Sequence, residues 1–231
     1  MASLPSNVHV STHPCVQAKL SQLRSASAST REVKSLIHEI STIVGVEALA
    51  KGLTTTSAGT DQNPLGYSFP VTTISPSRIS LVPILRSGLG MTDALLSVLP
   101  AAVPVHHLGL YREKTTLQPV EYYNNLPYHK PTASNPSVSA GPSDLAIIVD
   151  PVIATGATAC AAIDTLRDWG VKKVIVCAVI ASEDGLRKAA ETWPEGVEVF
   201  AGGCDKEMDD KGMIKPGLGD VGDRLFLTIG K

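Results

Sequence analysis

From about residue 31 onward, helical and strand patterns alternate along the chain. This predicts an α/β fold with a largely parallel central sheet flanked by helices. Two details sharpen the prediction. Leu145-Ala146-Ile147-Ile148-Val149 is an uninterrupted apolar run, the pattern of a strand covered on both faces. It passes through Asp150 and a set of small and hydroxylated residues into a helical pattern, as a strand–loop–helix unit would. The 231 residues suit one large domain, 1–231, and an apolar content of 43% supplies its core.

The elements follow in order. The first 31 residues are Ser-rich and hold Lys19, Arg24 and Arg31 with no Asp or Glu, the composition of an organelle transit peptide. Against that reading, His13-Pro14 followed by Val16, Leu20 and Leu23 predicts a short amphipathic helix. Ser29-Thr30-Arg31-Glu32 has capping-box spacing, and Val33, Leu36, Ile37, Ile40 and Val44 share one helical face. That helix should run to about Leu49 with Gly52 at its end, so the N-terminal helices span about 13–52. Residues 53–70 read as a Thr-, Gly- and Pro-containing loop. Ser77 to Leu85 predicts a buried strand that turns through Arg86-Ser87-Gly88-Leu89-Gly90 into a helix containing Met91, Leu95 and Leu96. Pro100 and Pro104 bracket the connection to a strand over Val105 to Tyr111. Beyond it, Thr115, Thr116, Val120, Tyr122 and Tyr123 suggest a β-hairpin or arm over about 109–128.

Pro131, Pro136 and Pro142 among Ser, Ala and Gly mark a flexible surface insertion at about 129–143. After the 145–149 strand comes a helix with Ala161, Ala162 and Leu166, closed by Gly170. A strand over Lys173 to Ala181, a helix over Asp184 to Thr192 and a strand over Val197 to Phe200 complete the alternation. The tail, about 204–231, is rich in Gly and Asp up to Leu225-Phe226-Leu227.

Composition excludes several classes. Twenty basic and twenty-two acidic residues give a net charge of −2, which speaks against a bulk nucleic-acid binder. The longest apolar stretch, Val174 to Ala181, is far short of the roughly 20 residues a membrane helix needs. Four scattered cysteines without a C-x-x-C pair predict neither zinc nor a disulfide framework. Cys160 and Cys177 lie in apolar patterns, so buried, reduced thiols and a cytoplasmic location are expected. Only 18% of residues are charged, and the apolar face of the N-terminal helices points to a homodimer or higher homo-oligomer.

The chemistry is written first in the unit from Leu145 to Gly170. In open α/β sheets, ligands bind beyond the carboxyl ends of the strands. Here a strand delivers Asp150, and the chain then wraps through Thr155-Gly156-Ala157-Thr158 into a helix N-terminus. Backbone N–H groups and the helix dipole there suit a phosphate, and Asp150 can accept hydrogen bonds from a sugar diol. The loop lacks G-x-x-x-x-G-K-[ST], which excludes a P-loop nucleoside triphosphatase. An ordinary capped turn with Asp150 satisfying backbone donors fits the same residues, and local chemistry leaves both readings open. Arg86 in its Gly-rich turn and Arg112 at a strand end are candidates to concentrate positive charge, or to form surface ion pairs.

Gly217-Leu218-Gly219-Asp220-Val221-Gly222 is a literal G-x-G-x-x-G. It fails as a dinucleotide fingerprint on context. No strand clearly precedes it, Arg224 to Thr228 reads as extended, and too few residues follow before Lys231 for a βαβ unit. A loop whose glycines let backbone groups approach a flat ligand is the better reading, with a plain terminal turn as the alternative. No G-x-S-x-G is present, and no covalent nucleophile is evident.

Val149-Asp150-Pro151 through Thr158 resembles the 5-phosphoribosyl 1-diphosphate loop of type I phosphoribosyltransferases. The Asp-Pro form followed by Ala154-Thr155-Gly156 is similar to the uracil phosphoribosyltransferase branch. Four further segments agree with that branch in chain order: His13-Pro14 through Arg24; Val82-Pro83-Ile84-Leu85-Arg86-Ser87-Gly88-Leu89-Gly90-Met91; Gly109-Leu110-Tyr111-Arg112 with Leu117-Gln118-Pro119-Val120; and Pro216-Gly217-Leu218-Gly219-Asp220 with Gly222-Asp223. The resemblance covers the chain apart from residues 1–7 and 129–143, and it counts against the transit-peptide reading.

It implies the type I phosphoribosyltransferase fold with a β-arm and a C-terminal hood over the base. It also implies transfer of the 5-phosphoribosyl group from the diphosphate donor to uracil, giving UMP and diphosphate. Arg86, Arg112, Asp150, Pro151, Val152, Ile153, Ala154, Thr155, Gly156, Ala157, Thr158 and Asp220 would contact the donor, and Ile214, Gly219, Asp220 and Val221 would contact uracil. Asp150, Asp220 and Arg112 would act in catalysis through positioning and electrostatics. Mg2+ would be held mainly by the substrate, with Asp220 as the protein contact. A GTP-type nucleotide is the implied effector, and neither nucleic acid nor membrane is a partner. Ala157 replaces a usual second Gly, which would tighten the phosphate loop. Met213 and Lys215 replace a commoner aromatic and aliphatic, and Cys204-Asp205-Lys206-Glu207 is more charged than usual. A donor-sensing or RNA-binding regulator is the alternative class, but no basic stripe with interleaved aromatics supports it. A purine-using enzyme of the same fold is disfavoured by the tail.

Overall fold

The structure, a computed structural model, describes residues 3–113, 118–127 and 142–228. Residues 129–141 of the expected insertion, and Thr115 and Thr116 of the expected arm, lie outside the described residues.

Seven strands form the main sheet: β1 (Val8–Val10), β4 (Ile79–Leu85), β5 (Leu108–Arg112), β6 (Pro119–Asn124), β7 (Leu145–Val149), β9 (Lys173–Ala178) and β11 (Val197–Ala201). Their order is β1-β11-β9-β7-β4-β5-β6, and every neighbouring pair is parallel except β5 with β6. Successive strand residues point to opposite faces. Leu81, Ile147 and Ile175 therefore meet α1 (Pro14–Leu23), α2 (Thr30–Gly52) and α3 (Leu89–Val98), while Val82, Ile148 and Val176 meet α4 (Ala157–Trp169) and α5 (Glu183–Thr192). A sheet covered on both sides needs apolar residues at every position, which is why β7 reads as a continuous run. The capping box at Ser29 and Glu32 is formed, and α1 buries Val16, Leu20 and Leu23 as its spacing predicts. Among the described residues, no helix is long and apolar enough to cross a membrane.

Past their carboxyl ends, β7, β9 and β11 continue into a second, smaller parallel sheet. It consists of β8 (Val152–Ile153), β10 (Ile180–Ser182) and β12 (Cys204–Asp205), in the order β12-β10-β8. The single strand expected over 173–181 is thus two strands, one in each sheet.

Further expectations are corrected. Residues 53–70 are not a loop: β2 (Thr54–Gln62) and β3 (Ser68–Ser75) form an antiparallel hairpin. Every residue of β2 is exposed, and in β3 only Val71 and Ile74 are half-buried, so the hairpin carries no regular apolar alternation to betray it. The residues after Gly222 are helical rather than extended. Following the short hairpin of β13 (Glu207–Met208) and β14 (Ile214–Lys215), α6 (Val221–Phe226) closes the described chain. Its first turn is capped by Asp220, whose carboxylate accepts the Asp223 N–H at 3.0 Å, and Leu225 is buried beneath it. Cys177 is buried, whereas Cys160 is only half-buried.

Candidate active site

Asp150 stands where β7 leaves the main sheet, nine-tenths buried. Ser87 Oγ donates to its carboxylate at 3.2 Å, and the Val152 N–H also donates to it. Burial outweighs both hydrogen bonds and raises the carboxyl from 3.8 to about 6. From here Pro151, Val152 and Ile153 lead into Ala154-Thr155-Gly156, and α4 begins at Ala157. Gly156 adopts φ +82°, a left-handed conformation that suits glycine, and a side chain there would come within 2.9 Å of the Gly185 carbonyl oxygen. Ala157 shows no such requirement: among the described residues the one non-glycine with positive φ is Leu227. The replacement of a second glycine at 157 therefore imposes no left-handed strain, because the residue already belongs to the helix.

The loop encloses a cup of about 80 Å³ lined by Asp150, Val152, Ile153, Ala154, Thr155, Gly156 and Thr158. The first-turn N–H groups of a 13-residue helix have no intrahelical acceptors, so they and the helix dipole favour an anion at this end. The back of the loop is held by residues that were not singled out in the sequence. Ser182 Oγ donates to the Ala154 carbonyl at 2.5 Å and accepts the Gly185 N–H at 2.9 Å, capping α5 as it braces the loop. The signal was present in Ser182-Glu183-Asp184-Gly185, a helix start one residue earlier than the predicted Asp184.

The turn after β4 faces both ways. Ser87 reaches Asp150, while its neighbour Arg86, across a cis Leu85–Arg86 peptide, reaches the tail. One Arg86 nitrogen donates to Thr228 Oγ1 at 3.0 Å, and the other pairs with the Asp223 carboxylate at 3.3 Å. The guanidinium is half-exposed. Arg112 ends β5 opposite Pro119, but its side chain lies outside the described residues.

In the tail, Ile214 is buried in β14 and the chain doubles back through Gly217-Leu218-Gly219 before the Asp220 cap. Gly219 has φ +70°, and no atom lies within 4 Å of where its Cβ would be, so the loop is open on that side. Residues 216–220 line a cleft of about 660 Å³ shared with Arg24, Thr30 and Arg224. Asp220 is exposed, and Val221 is buried at the start of α6. A further cleft of about 590 Å³, between the α1–α2 connection and α2, holds none of the expected site residues.

The structure thus brings Asp150 to Ser87, and Arg86 to the helix that Asp220 caps. Among the described residues no three His, Cys, Asp or Glu side chains gather into a metal-binding group. Asp150 and Asp220 present single carboxylates, one engaged by Ser87 and the other by a backbone N–H. That donor set fits a Mg2+ ion ligated chiefly by phosphate oxygens of a substrate rather than one caged by protein.

The chain is similar to known proteins over almost its whole length. Residues 10–228 match the uracil phosphoribosyltransferase family. The uracil phosphoribosyltransferase of Roseiflexus castenholzii is 40% identical over 96% of this chain and 98% of its own, and that of Listeria innocua is 38% identical over 96% and 99%. The AQ2163 protein of Aquifex aeolicus superposes with a TM-score of 0.82 at 30% identity, covering 95% of this chain and 97% of its own. The cup, the two-faced turn and the tail loop all fall inside these matches, and the chain belongs to the uracil phosphoribosyltransferase family.

Proposed function

We propose that the protein joins uracil to the 5-phosphoribosyl group of 5-phosphoribosyl 1-diphosphate, releasing diphosphate and forming UMP. The bond from ribose C1 to the diphosphate oxygen breaks, a bond from C1 to the base nitrogen forms, and the base loses its N–H proton. The observation that carries the reading is the turn after β4. Adjacent residues Arg86 and Ser87 touch the two walls that such a reaction must align, Ser87 the cup at Asp150 and Arg86 the helix α6 that follows the tail loop.

In this reading the 5-phosphate occupies the cup, bound by first-turn N–H groups of α4 and by the Thr155 and Thr158 hydroxyls. Asp150, ionised above about 6, accepts hydrogen bonds from the ribose hydroxyls. Arg86 exchanges Asp223 and Thr228 for oxygens of the departing diphosphate, and Arg112 approaches the same group from the end of β5. Bound Mg2+ would neutralise charge on the diphosphate, with Asp220 as its protein contact. The backbone of Gly219 and Val221, with Ile214 behind them, presents fixed donors and acceptors to uracil. Cytosine reverses two of the three matching groups, so a wild-type preference of roughly 10⁴ is expected.

The test is direct. The protein is incubated with the donor, Mg2+ and each nucleobase in turn, and nucleoside monophosphates are separated. UMP from uracil alone is the expected result; a purine product, or none, overturns the reading. The homo-oligomer reading is supported by the β2–β3 hairpin, where Leu65 and Tyr67 are 80% and 70% exposed. A monomeric mass in sedimentation equilibrium would refute it.

A further inference from the structure

We infer that Arg24 and Asp205 are positioning residues for base recognition: their ion pair fixes the backbone of Gly217 and so sets the geometry of the loop that reads uracil. This rests on the reading of residues 214–221 as the base site.

Asp205 ends β12 and is nine-tenths buried. Its two carboxylate oxygens accept the two terminal nitrogens of Arg24 at 2.7 and 2.8 Å, a bidentate pair. The same groups also hold a third partner from both sides. Asp205 accepts the Gly217 N–H at 3.0 Å, and Arg24 donates to the Gly217 carbonyl at 2.9 Å. Both polar groups of one residue are thus tied to a single ion pair. Gly217 sits between Ile214 and Gly219, with φ +59° and a fold so tight that a Cβ would lie 2.1 Å from the Ile214 carbonyl oxygen. The next carbonyl, of Leu218, is held in the same way: Arg224 donates to it at 2.9 Å while also donating to the carbonyls of Leu23 and Ser25 at the end of α1.

Burying an ion pair is a poor route to stability, because desolvation opposes the Coulomb gain unless the geometry is good. What such a pair supplies is direction. A loop that reads its ligand with backbone atoms needs those atoms held to within about half an ångström, and apolar packing alone does not fix the orientation of a peptide plane. The location of Asp205 adds a second constraint. Asp205 pairs with Ser182 in the small sheet, Ala181 of the same strand pairs with Ile153, and Ser182 braces Ala154. The clamp on the base loop and the brace on the phosphate loop are therefore neighbours in one three-stranded sheet, which ties the two substrate walls to a common frame.

Displacing one reactant by about 1 Å can cost a factor near 100, so loosening the clamp should damage uracil kinetics selectively. The variants are Asp205→Asn, which keeps volume and removes charge, and Arg24→Lys, which keeps charge and removes the bidentate geometry. Steady-state kinetics are measured for each substrate with the other saturating, together with uracil-over-cytosine selectivity and thermal unfolding. Both variants are expected to lower kcat/KM for uracil by roughly ten- to a hundredfold and to erode selectivity, with the KM for the donor changed by less than about threefold. Asp205→Glu, which keeps the carboxylate, should recover part of the loss. Arg24→Lys carries the test if Asp205→Asn does not fold. Equal losses for both substrates that track melting temperature, or no loss, overturn the proposal. Gly219→Val separates the failures. If it abolishes selectivity while both clamp variants retain it, the clamp alone is refuted. If it leaves uracil kinetics intact, the loop does not read the base, and the clamp falls with that reading.

Discussion

Replacing Asp150 with Asn should stabilise the folded protein at neutral pH while removing its activity. The carboxyl is buried at the end of β7 and titrates at about 6 in the folded state, against 3.8 ordinarily. Between these values the native protein keeps a proton that the unfolded chain has released. Stability therefore falls as pH rises from about 4 to about 6 and levels off above, the contribution being fully present only below the unfolded value. A difference of this size corresponds to about 3 kcal/mol. Asn has nearly the same shape and no charge to desolvate. Its Oδ1 can accept the Val152 N–H, and the Ser87 hydroxyl can turn to accept from Nδ2.

Urea unfolding of wild type and Asp150→Asn across this range is the assay. The two should nearly coincide at about pH 4 and diverge until the variant is more stable by about 2–3 kcal/mol at about pH 7. Over the same change the kcat/KM for the donor should fall at least about a hundredfold, since the ribose loses its anionic acceptor. A constant separation at every pH, or a variant less stable than wild type at about pH 8, would mean that the folded state accommodates the Asp150 charge without penalty, and the argument from burial would be wrong.

The remaining expectations are briefer. Gly156→Ala places a side chain at φ +82° against the Gly185 carbonyl; the left-handed conformation alone costs about 1–2 kcal/mol, so the KM for the donor should rise about tenfold while that for uracil holds. Arg112→Ala should raise the donor KM far more than the uracil KM in the same assay. Residues 129–141 should be replaceable by a short Gly-Ser linker with turnover kept within a few-fold; the cut stops there because Pro142 rests on Gly170 and the Ser143 hydroxyl pairs with Ser80 in the core. The thiol of Cys177, which burial pushes up to about 12, should resist iodoacetamide in the native protein while exposed Cys15 is alkylated, as read by peptide mass spectrometry.

What could be read from sequence follows from how each element is stabilised. Strands β7 and β9 are buried on both faces, so they advertise themselves as apolar runs, and α2 announces its start through the Ser29 capping box. The strand–loop–helix geometry after β7 was legible because its signals are local: an acid at a strand end, a glycine in the left-handed region and a helix N-terminus fall within ten residues. The β2–β3 hairpin was not, since β2 is exposed throughout and β3 rests on the core only through half-buried Ile74, too little to leave a burial pattern. Six-residue α6 was missed because Leu225-Phe226-Leu227 suits a strand as well as a helix. The decision is made by the Asp220 cap and by the seat of Leu225 against Gly90 on α3.

The Arg24–Asp205 pair marks the sharper limit. Its members are 181 positions apart, and each taken alone reads as an ordinary surface charge. Arg24 closes an amphipathic helix, and Asp205 lies in a charged tetrapeptide. Neither periodicity nor local motif carries any trace of their meeting, because the pair is created by topology. Strand β12 is placed beside β10 only once β11 has crossed over to pair with β9, and α1 reaches that edge only by packing on α2. A loop proposed to read its ligand with backbone atoms compounds the difficulty, for such chemistry is not encoded in side-chain identity. Residues that touch substrate through N–H and C=O leave glycines behind as their signature. The side chains that hold those glycines in place lie at distant points of the chain, and their significance emerges only with the fold.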